Sequence, residues 1–254
     1  MDKGTVFFPD PHLVGTPADW GMAYEEVWFE ASDAVRLHGW FAPAPSGAER
    51  PATLLWFHGN AGNISHRLEN LALLQSKVGC AVLLFDYREY GLSGGSITKA
   101  GTFLDAEAAY EAAVTRAEGG PERLVLFGRS LGTALAVHVA TRMPCAGVIL
   151  EAAFTSTADM RALYGAFLPP PSPGEVAYDS ISQIDRVASP LLFIHGAHDA
   201  VIPPAMGQAL YDQAGEPKRL YLVDGAGHND TYWTGGEEYF RNIAAFVREC
   251  TGGC

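Results

Sequence analysis

Cysteine is scarce in this chain of 254 residues, and its four cysteines form no recognisable pattern. Cys80 and Cys145 lie inside apolar stretches, whereas Cys250 and Cys254 lie at the very end. No CxxC pair and no cluster of histidine with cysteine suggests a metal site or a redox centre. The sequence therefore favours two core thiols and two tail thiols, with a tail disulfide or an intermolecular crosslink left open.

Long apolar runs are also missing. No run approaches the ~20 apolar residues that a membrane-spanning helix needs. The N-terminal segment MDKGTVFFPDPHLVG lacks the uninterrupted apolar core of a signal peptide, because Pro9, Asp10 and Pro11 follow the first aromatic residues at once. We therefore expect a cytoplasmic chain without a membrane span, unless an anchor precedes this sequence.

Basic residues are too few to balance the acidic ones. Seventeen lysines and arginines stand against 29 aspartates and glutamates, so the formal net charge is −12. Such a charge opposes binding to nucleic acid or to an anionic membrane surface. Hydrophobic residues make up 48% and charged residues 18% of the chain, as in ordinary globular proteins.

Apolar segments of strand length recur along the chain and alternate with segments of helical periodicity. The predicted strands are Glu26–Glu30, Val35–Phe41, Thr53–Phe57, Ala81–Phe85, Arg123–Phe127, Gly147–Leu150, Leu191–Ile194 and Arg219–Val223. The predicted helices include Ile64–Val78, Phe103–Ala117 and Leu131–Met143. This alternation predicts a single α/β domain over residues 1–254, with about eight mostly parallel strands and helices on both faces. The first two strands have no helix between them, so we expect an antiparallel hairpin at one edge.

One compositional break interrupts the alternation between Thr155 and Ser189. A short helical pattern, Ala158–Phe167, is followed there by the sequence PPPSPG. Ligand sites of open α/β sheets lie beyond the carboxyl ends of the strands, where this excursion begins. We therefore expect residues 157–189 to form a small lid, with a plain surface loop as the alternative.

Two serines match the five-residue GxSxG pattern of a serine-hydrolase nucleophile turn. Ser130 directly follows the strand RLVLFG and directly precedes the helical pattern LGTALAVHVATRM. The chain reverses within a few residues in such a turn, and Gly128 and Gly132 remove side chains that would collide there. Ser93 is separated from its strand by Arg88–Leu92 and is followed by more loop, GGSITKAG. The context favours Ser130 as the nucleophile and Ser93 as a turn residue.

A serine nucleophile needs a base and a carboxylate that orients the base. Among the eight histidines, His228 stands out because GAGHND places it in a glycine-flanked loop just beyond a strand. Asp199 follows another strand in the loop HGAHDAVIPP, while the competing Asp224 ends its own strand shortly before His228. That proximity suits a turn-former better than an orienter, so we predict Asp199 as the acid. The order Ser130, Asp199, His228 matches that expected of this hydrolase architecture.

The loop HGNAGN, which begins at His58, also comes directly after a strand. Its glycines allow the backbone to direct N–H groups at one point, as the oxyanion of acyl transfer requires. The predicted donors are the backbone N–H groups of Asn60 and of Leu131, the residue after the nucleophile. The loop lacks the lysine and Ser/Thr of a P-loop, and GxGxxG is absent, so we predict no cofactor.

Taken together, HGNAGN, FDYREYGLSGG, GRSLG, LEAAFTS, IHGAHDAVIPP and GAGHND resemble the α/β-hydrolase superfamily, and most closely its compact esterase and peptidase-like branch. The resemblance covers the chain from about Val27. It implies an α/β-hydrolase fold and assigns the triad and the oxyanion hole to the residues named above.

The loop that carries Ser93 departs from this resemblance. Relatives usually have glycine where Glu89 stands, which implies an altered loop conformation or a negative charge near the pocket rim. Some eukaryotic relatives remove acyl groups from proteins and carry an anchoring or cysteine-rich N-terminal segment. No such segment precedes Asp2, so that role is not expected.

The predicted groups together favour an acyl-ester hydrolase that acts on a small-molecule ester or thioester without a metal. A thioesterase and a small-substrate amidase or peptidase stay open on the same triad, as does a catalytically silent binding scaffold. Apolar lid residues favour an apolar substrate, although core packing explains them as well. The oligomeric state is left open. The candidate pocket residues are Phe154, Tyr87, Leu163 and Phe167.

Overall fold

The computed structural model describes residues 7–47, 51–165 and 176–252. The strands in these ranges are β1 (Phe8–Pro9), β2 (Glu25–Glu30), β3 (Arg36–Ala42), β4 (Thr53–Phe57), β5 (Ala61–Gly62), β6 (Ala81–Phe85), β7 (Leu124–Arg129), β8 (Gly147–Glu151), β9 (Leu191–Gly196) and β10 (Lys218–Val223). The α-helices are α1 (Leu68–Leu73), α2 (Lys99–Val114), α3 (Leu131–Ala140), α4 (Thr157–Tyr164), α5 (Pro204–Gln213) and α6 (Thr231–Cys250). Short 3₁₀ turns occur at Pro17–Trp20, Ile64–Arg67, Gly120–Arg123 and Ile184–Arg186.

Eight strands form one sheet in the order β10-β9-β8-β7-β4-β6-β3-β2. Strands β10, β9, β8, β7, β4 and β6 run parallel to one another. Strand β3 pairs antiparallel with both β6 and β2, so the hairpin predicted at one edge is present. The predicted eight-stranded, mostly parallel sheet is confirmed. Outside it, β1 pairs in parallel with β5.

The sheet is buried on both faces because helices cover each side. On one face, Leu55 packs in a core that includes Ala106 of α2 and Leu135 of α3. On the other face, Leu54 packs in a core that includes residues of α1 and α6, such as Leu71 and Ile243. Successive strand residues point to opposite faces, which explains why the central strands are apolar throughout. Each fully buried leucine contributes about 1.5–3 kcal/mol to folding.

The predicted helices differ from the observed ones mainly at their ends. Helix α2 begins at Lys99 rather than Phe103, because the Thr98 hydroxyl accepts a hydrogen bond from Gly101 N (2.9 Å) and caps it. The helix predicted over residues 64–78 is irregular: a 3₁₀ turn leads into α1, and a π turn follows at Leu74–Val78. Apolar periodicity locates a helix but does not report such changes of winding.

The described part of the segment 157–189 contains α4 and the 3₁₀ turn at Ile184–Arg186. The Ser156 hydroxyl caps α4 by accepting a hydrogen bond from Asp159 N (2.9 Å). Residues 166–175, including Phe167 and the PPPSPG sequence, lie outside the described residues. Across the described ranges, no helix has the length and apolar character to cross a bilayer.

Helix α3 approaches the sheet so closely that glycine is required at its start. A Cβ atom at Gly132 would lie 2.0 Å from the carbonyl oxygen of Phe57 in β4. A Cβ atom at Gly128 would lie 2.5 Å from the carbonyl oxygen of Gly132. Real Cβ atoms do not come this close to backbone atoms, so these glycines set the spacing between α3 and the strands.

We expect Gly132→Ala to lower the free energy of unfolding by about 3 kcal/mol, because the clash is with backbone that cannot rotate away. Gly215→Ala is the matched control, since a Cβ there meets no atom within 4 Å and its φ is not positive. Urea denaturation of both variants measures the difference. Equal stability of the two variants would contradict the close packing of α3.

Candidate active site

Ser130 lies in the sharp turn between β7 and α3. Its backbone has φ 52° and ψ −117°, a conformation that side chains other than glycine rarely adopt. Two hydrogen bonds hold the turn: Ser130 N donates to Glu151 O (2.8 Å), and Thr133 N donates to Ser130 O (3.0 Å). A strained conformation of this kind lowers the stability of the fold by about 1–3 kcal/mol. The turn places the Ser130 hydroxyl at the carboxyl edge of the sheet.

The structure brings the three predicted triad residues into one chain of hydrogen bonds. The Ser130 hydroxyl donates to His228 Nε2 over 3.1 Å. His228 Nδ1–H donates to Asp199 Oδ2 over 2.7 Å, because a carboxylate can only accept. The other carboxylate oxygen, Oδ1, accepts from the backbone N–H groups of Val201 and Ile202, each at 2.8 Å. Asp224 is exposed, and it is Asp199 rather than Asp224 that accepts the hydrogen bond from His228.

A second histidine, which directly follows the predicted strand Leu191–Ile194, also contacts Asp199. His195 Nε2–H donates to Ile202 O (2.9 Å) and lies 3.4 Å from Asp199 Oδ2. Burial alone raises the pKa of Asp199, but hydrogen bonds from His195, His228 and Ile202 N hold that pKa well below its usual 3.8. The carboxylate therefore stays ionised while buried. The four-residue spacing between His195 and Asp199 was the available clue.

An ion pair beneath the His228 loop was also missed by the sequence analysis. Arg129 Nη2 donates to His228 O (2.6 Å) and to Asn229 Oδ1 (3.0 Å), while its Nε lies 3.4 Å from Glu151 Oε1. Glu151 is fully buried and also accepts hydrogen bonds from the Tyr239 hydroxyl (2.6 Å) and the Thr231 hydroxyl. These contacts tie the His228 loop to the ends of β7 and β8.

One predicted oxyanion donor, Asn60, lies in the HGNAGN loop, and the other, Leu131, lies at the start of α3. Asn60 and Leu131 both line the cavity that contains Ser130 and His228. Leu131 is the first residue of α3, where backbone N–H groups have no partner within the helix. The side chain of Asn60 accepts a hydrogen bond from the Tyr90 hydroxyl (2.9 Å), which anchors the loop.

Tyr87, a predicted pocket residue, does not line the cavity. It is fully buried behind the HGNAGN loop, where its hydroxyl donates to His58 O (2.8 Å) and its ring packs on His58 at 4.3 Å. The prediction was wrong because the side chain points toward the core at the end of β6. Tyr87 supports the loop from behind.

The cavity above Ser130 has a volume of about 1050 Å³. Phe154 lines it as predicted, together with Tyr178, Met160 and Ile202. Leu163, another predicted pocket residue, does not: it lies on the outer side of α4 and is 49% exposed. The remaining candidate, Phe167, lies outside the described residues.

The second GxSxG serine serves the structure of its own loop. Ser93 Oγ donates to Asp86 O (2.7 Å) and accepts from His38 N (2.9 Å). Glu89 has φ 68°, so the loop keeps the left-handed conformation that glycine favours. Its carboxylate accepts from Ile97 N (2.8 Å) and does not line the cavity.

Candidate metal ligands are not gathered anywhere in the parts of the chain that the structure describes: no group of three or more His, Cys, Asp or Glu residues is placed to hold an ion there. Cys80, Cys145 and Cys250 are free thiols, and Cys254 lies outside the described residues. Burial raises the pKa of Cys80 to about 12 and that of Cys250 to about 11, so neither is a reactive thiolate.

Comparisons with known proteins show to which family this chain belongs. The family described as alpha/beta hydrolase fold matches residues 52–170. The Arabidopsis thaliana alpha/beta hydrolase domain-containing protein WAV2 is 34% identical over 92% of this chain and 82% of its own length. The chain belongs to the α/β-hydrolase family. An uncharacterized protein of Mycobacterium tuberculosis is 37% identical to this α/β hydrolase over 98% of the chain and 88% of that protein.

Solved structures show the same fold at lower identity. The Pyrococcus furiosus esterase Pf2001 matches this α/β hydrolase with a TM-score of 0.76 and 22% identity, over 95% of this chain and 98% of that chain. The esterase domain from a Rhodothermus marinus protein matches with a TM-score of 0.67 and 24% identity, over 89% and 100%. The predicted α/β-hydrolase fold is therefore confirmed, and family membership supports a hydrolase.

The strain at Ser130 predicts a difference between two variants that both lack the hydroxyl. We expect Ser130→Gly to be more stable than Ser130→Ala by about 1 kcal/mol, because glycine adopts φ 52° without a steric penalty. Thermal denaturation of the two proteins measures this. A more stable alanine variant would mean that the turn is not strained.

The lowered pKa of Asp199 predicts how stability depends on pH. A carboxyl group whose pKa is depressed by folding stabilises the protein above its usual pKa and loses that contribution as pH falls below it. Asp199→Asn should therefore cost on the order of 2 kcal/mol at pH 7, and this cost should shrink from pH 5 to pH 3. Urea denaturation across that range measures it, with the exposed Asp224→Asn as control. A cost independent of pH would contradict the assignment.

Proposed function

We propose that this protein is a serine hydrolase that cleaves carboxylic esters through a covalent acyl-enzyme. The observation that supports this most directly is the continuous hydrogen-bond chain from Ser130 to His228 to Asp199. Ser130 and His228 line a cavity large enough for a small organic substrate, and Asp199 is buried behind His228. Each group has the orientation that its role requires.

In the acylation step, the Ser130 oxygen attacks the ester carbonyl carbon while His228 Nε2 takes the hydroxyl proton. The carbonyl π electrons move to the oxygen, which becomes the oxyanion of a tetrahedral intermediate. When the intermediate collapses, the bond to the alcohol oxygen breaks and His228 returns the proton to that oxygen. The alcohol leaves, and the acyl group stays on Ser130.

In the deacylation step, water takes the place of the alcohol. His228 removes a proton from water, the hydroxide oxygen adds to the acyl carbon, and the second tetrahedral intermediate expels Ser130. The proton on His228 returns to the Ser130 oxygen. A carboxylic acid is released, and no cofactor enters the balance.

The oxyanion is assigned to the backbone N–H groups of Asn60 and Leu131. Leu131 N–H lies at the start of α3, where the helix dipole favours negative charge. Asn60 lies across the cavity in a loop that the Tyr90 hydroxyl and Tyr87 anchor. Each fixed donor of such a pair typically raises kcat by about 10²–10³-fold.

Asp199 has the role of holding His228 in one tautomer and stabilising the imidazolium that forms in each step. Its depressed pKa supports this role, because a carboxylate that stays ionised can accept from Nδ1–H at any assay pH. The bonds from Val201 N and Ile202 N keep the carboxylate aimed at the imidazole.

The apolar side of the cavity suits the acyl group of the substrate. Phe154 and Tyr178 lie in edge-to-face contact at 6.4 Å and form part of this side with Met160. The Tyr164 hydroxyl donates to Ala200 O (3.1 Å) and to Val201 O (2.7 Å), which ties α4 to the Asp199 loop. The described part of residues 157–189 thus fits the role of a small lid within the proposed single domain.

The proposal predicts that Ser130→Ala lowers kcat for a short 4-nitrophenyl ester by at least ~10³-fold and abolishes labelling by a fluorophosphonate probe. Ser93→Ala is the matched control, because Ser93 has the same GxSxG context but its hydroxyl bonds to Asp86 O and to His38 N of β3 and to no triad residue. It should keep labelling at Ser130. Parent-rate hydrolysis by Ser130→Ala would overturn the proposal.

The same assay decides between ester and related acyl substrates. We expect kcat/KM to be highest for the ester in a series with matched acyl groups: an alkyl ester, the corresponding thioester and the corresponding amide. A thioester or amide preference would keep the triad but change the substrate class. Probe labelling without hydrolysis of any of the three would argue against ester hydrolysis.

A further inference from the structure

Cationic side chains line the cavity above Ser130 in a chain whose formal net charge is −12. Among the described residues, three arginines line it, Arg67, Arg129 and Arg161, and no aspartate or glutamate does. A cleft lined by one sign of charge concentrates ligands of the opposite sign. The charge of the cavity therefore differs from that of the protein around it.

Arg129 presents a free donor beside the nucleophile. Its Nε and Nη2 atoms are occupied by Glu151, His228 and Asn229, as described above. Its Nη1 has no hydrogen-bond partner among the described residues. Nη1 lies 3.2 Å from the position that a Cβ atom of Gly59 would take, and Ser130 Cβ lies 3.6 Å from the same position. A donor is thus held within reach of a substrate on Ser130.

Arg67 is the second arginine of this wall, and no carboxylate pairs with it in the described parts of the chain. Its Nη2 donates to Gly59 O (3.3 Å) and to Ala61 O, while its Nε is buried without a hydrogen-bond partner. Burial and the nearby charge of Arg129 lower the pKa of Arg67 to about 10. A half-buried cation beside another cation is costly unless an anion joins them.

The apolar residues and two of the three arginines belong to different walls of the cavity, whereas the third arginine, Arg161, lies on α4 with the apolar residues. Arg67 and Arg129 are bonded to the HGNAGN loop and the His228 loop. Phe154 and Tyr178 pack on each other on the side where α4 lies. The two walls meet at Ser130, so a substrate held there has an apolar environment on one side and guanidinium groups on the other.

We propose that the preferred substrates are esters that carry a carboxylate, bound by Arg67 and Arg129 beside the reacting bond. A carboxylate matches the planar donors of a guanidinium group and would neutralise the two adjacent cations. This inference rests on the proposed function, because it assigns the substrate class of that same site. Neither arginine is a catalytic residue in the proton transfers described above.

Two matched pairs of esters test the inference. In the first, mono-4-nitrophenyl glutarate carries the charge on the acyl side and 4-nitrophenyl pentanoate is neutral. In the second, 4-carboxyphenyl pentanoate carries it on the alcohol side and phenyl pentanoate is neutral. We expect kcat/KM to favour the anionic member of at least one pair by about tenfold, as for a charge-assisted hydrogen bond. High salt should reduce that preference.

Substitution of the arginines identifies the source of the preference. Arg67→Gln and Arg129→Gln should each reduce the ratio of anionic to neutral kcat/KM by about tenfold. The ratio cancels general damage to the active site. Arg248→Gln, an exposed change of the same charge on α6, is the control and should keep the parent ratio. A preference that survives both arginine substitutions would overturn the inference.

A binding measurement keeps the inference testable apart from hydrolysis. Glutarate should raise the Tm of Ser130→Ala protein more than pentanoate does, and should lose this advantage in Ser130→Ala/Arg67→Gln protein. Equal effects of glutarate and pentanoate would overturn the inference. Ser130-dependent hydrolysis of both ester pairs without charge preference would also overturn it, yet would leave the proposed esterase function standing. Selective glutarate binding without any ester hydrolysis would overturn the proposed esterase function, yet would leave the carboxylate-binding role of the arginines standing.

Discussion

Helix α3 lies so close to β4 and β7 that only glycine fits at two positions of the contact, Gly128 and Gly132. This close approach forces the chain to reverse at Ser130, which takes a backbone conformation that a serine rarely adopts. The hydroxyl is thereby lifted above the carboxyl edge of the sheet, and Leu131, the first residue of α3, lines the same cavity. His228 and Asp199 can form their hydrogen-bond chain with Ser130 only because this turn fixes the position of the hydroxyl.

The second support of the site is the buried carboxylate of Glu151. It accepts hydrogen bonds from Tyr239 and Thr231 and pairs with Arg129, whose Nη2 holds the His228 backbone. The buried carboxylates are thus separated from the cations of the cavity. The side chains of Glu151 and Asp199 are buried and accept hydrogen bonds from Arg129 and His228, whereas Arg67 and Arg129 line the cavity. This separation explains how a protein of net charge −12 has arginines, and among its described residues no aspartate or glutamate, along the cavity.

The fold was predictable because each strand and helix carries its own apolar pattern within a short segment of sequence. Buried parallel strands are apolar at every position, and helices repeat their apolar residues every three to four positions, so alternation of the two patterns reports the layers. The helix ends were predicted less well. Thr98 starts α2 earlier than the apolar pattern does, and the winding changes between 64 and 78 depend on packing against α6 and the sheet.

The residues that follow strands can be read from the sequence, and parallel strands bring their carboxyl ends to one edge; Ser130, Asp199 and His228 could therefore be grouped in advance. The directions of the side chains depend on packing between distant segments and could not be read in this way. Tyr87 turns into the core and Leu163 turns to solvent, although both lie near the site in sequence terms. The contact of His195 with Asp199 was equally hidden, as was the Arg67 Nε atom that has no hydrogen-bond partner among the described residues, because contacts depend on the three-dimensional arrangement rather than on sequence order.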